Sequence, residues 1–469
     1  MLCQRGENLK KKYDVAIIGG GLGGLTAANV LAKKFGRKVV LLEQHFKLGG
    51  LATWFKRKGH IFDVSLHGFP VGMIKTCRRY WTREIADSIV QLSNIRFENP
   101  QFSFTTSFDV NDFSDKLIGY FGVKQSVVDD FFTTTAKMDF FHDNKMTTAE
   151  LFDKFFPGRN DIVRFLMEPI TYANGSTLED PAITYGIVFS NFMNKGVFTF
   201  KGGTDLLIDK MEKELVENGV DIGLSCLTEK IIVENKKVKG VLTANGEIQC
   251  DSVISNGNLL STVSNLVGQD HFSDDFLEEM SHVRLNNSSC QVYMGIKEGE
   301  TIDDIGDLIF TSTEPTFKAQ SLLDMNTKSR TFSLYYPKTR PGENRYSIVA
   351  STNANYSDWI NLSKEEYKKE KARLSEVSLD SLEKFIPNVR DKIDYIEAAT
   401  PKTFEHYTLH RQGASFGTKF EGLKTSMDLD KQVGGLFHTG SVGIIMSGWL
   451  GAANYGVIVA NNADKFLRN

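Results

Sequence analysis

Cysteine is scarce in this 469-residue chain. There are five, Cys3, Cys77, Cys226, Cys250 and Cys290, an odd number at wide spacings with no C-x-x-C. That pattern argues against a disulfide framework or a zinc ribbon and fits a reducing compartment. Net charge is also nearly absent: 55 Lys and Arg against 58 Asp and Glu leave −3. No nucleic-acid partner held by bulk positive charge is expected. Uninterrupted lipid-like runs are missing as well. Val15–Ala32 and Gln432–Ala463 contain no Asp, Glu, Lys or Arg, but the first has five glycines among the six residues 19–24. The second is rich in Gly, Ser and Asn. A backbone that closely approaches a buried ligand explains such composition better than a membrane span does. Met1–Lys12 is polar and lacks the apolar centre of a secretory signal. There is no G-x-S-x-G, no H-E-x-x-H, no metal-spaced histidine cluster and no solenoid-period repeat. The expectation is a cytoplasmic protein without a metal site.

What is present is an ordinary globular composition, 41% hydrophobic and 24% charged. At about 150 residues per domain the length suggests two or three folding units. Phenylalanine is in excess: 34, against 14 Tyr and 4 Trp, with 18 of them between Phe97 and Phe200. That stretch is either a Phe-packed core or the wall of an apolar cavity.

The N-terminal region carries the strongest motif. Tyr13–Ile18 is a β-branched apolar run of strand length. Gly19, Gly21 and Gly24 then satisfy G-x-G-x-x-G, Leu25–Phe35 reads as a helix, and Lys38–Leu42 is a second strand ending at Glu43. Each part has a physical task. Gly19 permits the tight turn, Gly21 lets a pyrophosphate approach the backbone, and Gly24 lets the helix pack closely on the sheet. The helix N-terminus offers free N–H groups to phosphate. Glu43 can accept the hydroxyl protons of a ribose and would repel a 2′-phosphate, so a dinucleotide other than NADP is expected. With Leu22, Gly23 and Gln44 these residues form the expected cofactor cradle.

Further segments carry a resemblance. Gly49, Gly50 and Leu51 closely follow Glu43, and Gly59–Phe69 reads GHIFDVSLHGF. Phe200–Asn218 opens on a Gly-Gly pair, and Asp251–Asn256 reads DSVISN. Near the C-terminus come Gly434–Ser441 and Gly448–Gly456 (GWLGAANYG). In this order the segments resemble the flavoproteins that include phytoene desaturases, carotenoid isomerases and retinol saturases, within the flavin amine oxidase superfamily. The resemblance implies an α/β fold: a Rossmann-like FAD-binding domain of the two-dinucleotide-binding-motif type, with a mixed α+β substrate domain inserted. It implies FAD as cofactor, adenine contacts near Leu227 and Thr228, and flavin contacts at Gly440, Ser441, Trp449 and Gly451. Three segments depart from the pattern. Ser65 stands where the family usually has Gly, residues 336–341 (YPKTRP) replace a usual S-x-x-D-P, and Val442–Gly448 (VGIIMSG) stands where the carotenoid enzymes usually carry H-P-G-G-G-x-P-G.

The expected FAD domain is discontinuous, 10–95, 196–285 and 400–469, with the substrate domain at 96–195 and 286–399. The Phe-rich stretch then falls in the first insertion and reads better as the wall of an apolar site than as the core of the nucleotide domain. Asn235-Lys236 and Asn245-Gly246 mark turns, the latter a two-residue hairpin signal. Phe97–Phe108 alternates like one strand, and Ser363–Phe385 reads as a charged helix.

No acid–base pair stands out, so no catalytic side chain is certain, and the redox step would fall to flavin N5. His67 is the candidate side chain, either near the flavin or as a buried structural histidine. Asp63 reads as a loop-ordering residue and Lys297 as part of a charged turn. Lys75, Arg78, Arg79 and Arg83 form either a solvated helix face or a peripheral membrane contact. The expected activity is oxidoreduction or redox-assisted isomerisation at C=C or CH–CH bonds of a long apolar polyene, with a hydrophobic small molecule as partner. The alternatives are an amine oxidase-type enzyme and a non-catalytic FAD-stabilised lipid-binding protein.

Overall fold

The computed structural model describes residues 9–139, 146–342 and 345–469. Cys3, Phe140, Phe141 and the first part of the polar N-terminus lie outside them.

The first run of β-branched residues forms the Lys12–Ile18 strand at the centre of a seven-stranded sheet. It pairs in parallel with Val39–Leu42 on one side and with Gly246–Ser255 on the other. Such strands are buried on both faces, and Val39–Leu42 (VVLL) is buried throughout. The long Gly246–Ser255 strand has two jobs. Its first half pairs antiparallel with Lys237–Thr243, and its last residues pair in parallel with Leu436–His438. The Asn235–Lys236 and Asn245–Gly246 turns join the antiparallel strands. The helix after the glycines is Leu22–Asn29, earlier than expected, and it widens into a π-turn at Val30–Lys34.

The second sheet also has seven strands. The order is Ile393–Ala399, Ser288–Ile296, Ser347–Ala354, Ser329–Tyr335, Leu308–Ser312, Ile95–Asn99 and Phe102–Thr106, antiparallel except where Leu308–Ser312 meets Ile95–Asn99. The expected single strand over Phe97–Phe108 is thus a hairpin. Asn99 breaks it: its Oδ1 accepts the N–H of Gln101 and of Phe102, closing a turn around Pro100.

The two faces of this sheet differ because side chains alternate along a strand. Cys290, Val292 and Met294 enter a core that also holds Leu374, Leu379 and Leu382 of the Lys364–Glu383 helix. Ser289, Gln291 and Tyr293, between them, face a cavity.

The Phe-rich segment is mainly a core. Phe165 stacks on Phe113 at 4.2 Å, and Phe97 stacks on Phe310 at 5.0 Å. Phe131, Phe152, Phe156 and Phe189 belong to the same cluster. Burying each ring contributes roughly 1.5–3 kcal/mol. Phe198 and Phe200 pack in the nucleotide-domain core instead, and of the described Phe from 97 to 200 only Phe108 and Phe192 border the cavity. The expectation that this stretch forms the cavity wall is corrected accordingly. The rings must first bury one another, and few are left to face a void.

Candidate functional site

A cavity of about 1720 Å3 runs between the two sheets. Common ligand pockets are roughly 300–1,000 Å3, so it can hold a dinucleotide and a second molecule. Of the residues expected at a cofactor, Gly19, Gly21, Leu22, Gly23, Glu43, Gln44, Gly49, Gly50, Leu51, Leu227, Thr228, Ser441, Trp449 and Gly451 line it, as does His67. Gly24 and Gly440 do not. Gly24 lies one layer behind, where its N–H bonds Asn256 Oδ1 at 3.1 Å and a Cβ would strike the Gly19 carbonyl at 2.2 Å. A Cβ at Gly440 would meet the Gly257 carbonyl at 2.3 Å.

The glycine loop forms a cradle. Side chains at Gly21 and Gly23 would stand 2.7 Å from Asn256 Nδ2 and 2.4 Å from the Thr439 carbonyl, so only glycine keeps this floor at backbone height. Gly21 gives the Leu22–Asn29 helix no side-chain cap; Asn256 takes the Gly24 N–H, and those of Leu22 and Gly23 are left for an anion. The C-terminal helix, Gly448–Arg468, also begins uncapped, and Gly448, Trp449, Leu450 and Gly451 of its first turn line the same cavity. The residues present fit a dinucleotide. Glu43 is buried at the end of its strand. Its Oε2 accepts the Gly20 N–H at 2.7 Å, and its Oε1 accepts that of His45 at 2.8 Å. Burial pushes its carboxyl pKa up, and these N–H bonds oppose the shift.

Beyond the cradle the cavity becomes a chamber with two unlike sides. Pro169, Ile170 and Ala173 of the Asn160–Asn174 helix form an apolar wall with Val188 and Phe192 of Ala182–Met193. The sheet supplies a polar floor of Ser289, Gln291, Thr331, Ser351 and Asn353.

His67 sits where cradle and floor meet. Gln291 Nε2 and the Ser351 hydroxyl each lie 3.2 Å from its Nε2, and Ser333 Oγ lies 2.8 Å from Nδ1. The Tyr293 hydroxyl donates to Gln291 Oε1, which turns the Gln291 amide N–H toward His67. Nε2 is therefore an acceptor, and Nδ1–H donates to Ser333. Burial lowers the ring's pKa to about 4, so His67 is neutral near pH 7. Its loop is tied to the floor and to the C-terminal helix. Tyr335 donates to the Leu66 carbonyl, and Trp449 Nε1 reaches the Ser65 carbonyl at 3.4 Å. Ser65, in place of the family glycine, donates to the Leu51 carbonyl at 2.6 Å.

Asp63 orders the fold. It accepts the Thr204 N–H at 2.8 Å and pairs with buried Arg340, from the segment that departs from the family pattern. Lys297 is outside the cavity and donates to the Asp391 carbonyl at 2.6 Å. Lys75, Arg78, Arg79 and Arg83 are exposed, and Arg78 and Arg83 both face Asp87. Cys77 and Cys290 are buried free thiols, and burial pushes Cys77 up to about 12. Among the described residues there is no cluster suited to a metal, and no helix is long and apolar enough to cross a membrane.

Asn256, Gln291 and Tyr293 are site residues that the sequence did not single out. Asn256 ends a recognised strand, and that position beside the glycine loop was the available signal.

Residues 17–82 match a family model described as an NAD(P)-binding Rossmann-like domain. Chloroplastic prolycopene isomerase of Daucus carota is 26% identical over 468 residues, covering 89% of this chain and 74% of that protein. All-trans-retinol 13,14-reductase of Danio rerio is 22% identical over 498 residues, covering 91% and 81%. The resemblance to the carotenoid isomerase and retinol saturase group stands. In fold, the chain is similar to a putrescine oxidase solved with putrescine, with a TM-score of 0.66, 15% identity and coverage of 98% and 99%. Glycine loop and family model point together to a dinucleotide cofactor.

Proposed function

We propose that the chain is an FAD-dependent enzyme that desaturates, saturates or isomerises C=C or CH–CH bonds of a long apolar polyene lipid. The observation that carries this reading is the continuity of one cavity from the dinucleotide cradle to an apolar wall. Relatives that act on carotenoid and retinoid polyenes agree with it.

When bound, FAD supplies a hydride acceptor or donor at its N5 atom. The glycine loop and Glu43 hold the adenosine end. The uncapped start of the Gly448–Arg468 helix favours negative charge on a group placed beside it. Ile170, Phe192 and their neighbours exclude water and align the chain, which such chemistry requires. His67 stays neutral at the edge of the chamber, its Nε2 accepting from Gln291 and Ser351 and its Nδ1–H donating to Ser333, and so fixes the polar floor. An amine oxidase reading has less support, because Lys297 is outside the cavity.

The test is anaerobic flavin bleaching with a panel of polyenes, fatty acids and amines. Bleaching or conversion of polyenes is the expected result. Bleaching by amines alone would overturn the proposal.

A further inference from the structure

The segment from Tyr407 to Arg411 crosses the adenosine half of the cavity. At one end, Gln44 Nε2 donates to the Tyr407 carbonyl at 3.2 Å, and the Tyr407 ring meets His45 edge-on at 5.9 Å. Both partners adjoin Glu43. At the other end, Arg411 Nε donates to Ser261 Oγ at 3.3 Å, and its Nη2 donates to Ser264. Ser261 and Ser264 follow Asn256–Asn258, the turn that backs the glycine loop. Leu409 is the left-handed C-cap of the Pro401–Thr408 helix, at φ 55° with its N–H on the Glu405 carbonyl, and it turns the chain toward Arg411. Tyr407, Thr408, Leu409, His410 and Arg411 all line the cavity.

Charge decides what this strap does. Among the described residues two arginines and three lysines line the cavity: Arg57 faces Glu397 at 3.7 Å, Lys47 donates to the Trp54 carbonyl at 3.4 Å, Lys371 lies over the Tyr367 ring, and Lys56 is exposed. Among the described residues, the hydrogen-bond partners of Arg411 are the neutral Ser261, Ser264 and Asn265. Glu43 already places a carboxylate at this end. A diphosphate brings two more negative charges, and a helix N-terminus offsets only about half of one. A guanidinium held by hydroxyls, with no carboxylate paired to it, supplies the rest with geometry suited to phosphate oxygens.

We propose that Arg411 is the phosphate-binding side chain for the diphosphate of the bound dinucleotide, carried on a strap over its adenosine half. This rests on the dinucleotide part of the reading above and is independent of the polyene part.

The test uses the full chain freed of nucleotide, titrated with ADP and with adenosine by calorimetry. In the parent protein ADP should bind more tightly than adenosine. Arg411→Gln should weaken ADP about tenfold or more and leave adenosine unchanged. Arg411→Lys should recover part of the loss. Should Arg411→Gln fold poorly, the Ser261→Ala/Ser264→Ala double variant keeps the cation but releases it, and should weaken ADP alone by about threefold. Unchanged ADP affinity, or an equal loss for ADP and adenosine, would overturn the assignment. A parent protein that binds neither ligand would overturn the dinucleotide reading with it, whereas failure with polyenes alone would leave Arg411 unaffected.

Discussion

Gly456 of the C-terminal helix packs directly on Gly23: a Cβ there would stand 2.4 Å from the Gly23 carbonyl oxygen and 3.1 Å from Thr26 Cβ. This contact brings two helix starts to one cavity. Gly456→Ala gains about 1 kcal/mol in helix propensity, but overpacking against backbone costs roughly 1–3 kcal/mol. The expected net result is a lower melting temperature and a smaller fraction of protein purified with bound cofactor. Differential scanning fluorimetry and the 450 nm region of the absorption spectrum would read both.

Glu43 serves the backbone as well as a ligand. Glu43→Ala removes the acceptor for the Gly20 and His45 N–H groups, at about 1–3 kcal/mol for the buried one. Both chemical stability and nucleotide affinity should fall, the latter about tenfold. Glu43→Gln retains one carbonyl oxygen and should lose less of each. Equal stability in all three proteins would contradict this account of the loop.

His438 predicts an acid-sensitive fold. It is buried, donates from Nε2 to the Gly257 carbonyl at 3.0 Å and accepts the Ser426 hydroxyl at 2.7 Å. Burial lowers its pKa from 6.5 to about 4. Between these values the unfolded chain binds a proton that the folded chain does not. Its contribution is therefore complete above about pH 6.5 and is lost as pH falls toward 4, at about 1.4 kcal/mol per pH unit. His67 adds a like contribution over the same window, so in urea titrations between pH 7 and 4.5 His438→Gln should flatten the slope by one proton's worth while lowering stability at pH 7.

For His67, the expectation concerns activity. His67→Phe should retain the cofactor and lower kcat by about tenfold, because it leaves Gln291 and Ser351 without their shared acceptor on the chamber floor. The parent protein should show no acid limb near pH 6.5 in kcat/KM, because the ring's pKa is lowered to about 4. A limb near 6.5 that vanishes in His67→Phe would show the ring to be more hydrated than this structure makes it.

The apolar wall offers a clean separation of functions. Ala173→Trp projects an indole into the chamber from the Asn160–Asn174 helix, remote in sequence from the glycine loop. Polyene turnover should drop about tenfold or more while nucleotide affinity stays within twofold. Flavin content and turnover measured on the same preparation would decide it.

The nucleotide cradle was legible in the sequence because its parts are contiguous. Strand, glycines, helix and Glu43 follow one another within 31 residues from Tyr13 to Glu43, so local rules suffice. The chamber was not legible in the same way. Ser333, Gln291 and Ser351, the partners of His67, lie 266, 224 and 284 residues away. The face that each phenylalanine presents depends on how the 160–174 and 182–193 helices pack, which no short pattern records. The 97–108 segment shows the same limit at small scale. Its alternation is genuine, but a single Asn99 side chain folds it back on itself.

The alternation along Ser288–Ile296 has a consequence for descent as well as for chemistry. Positions 289, 291 and 293 meet whatever occupies the chamber, while 290, 292 and 294 hold the sheet to its helix. A lineage can thus exchange the first set and acquire a new substrate without disturbing the second. An insertion of one residue would instead exchange the two roles at once. Diversity at this strand should therefore accumulate by replacement at every other position, with its length held fixed.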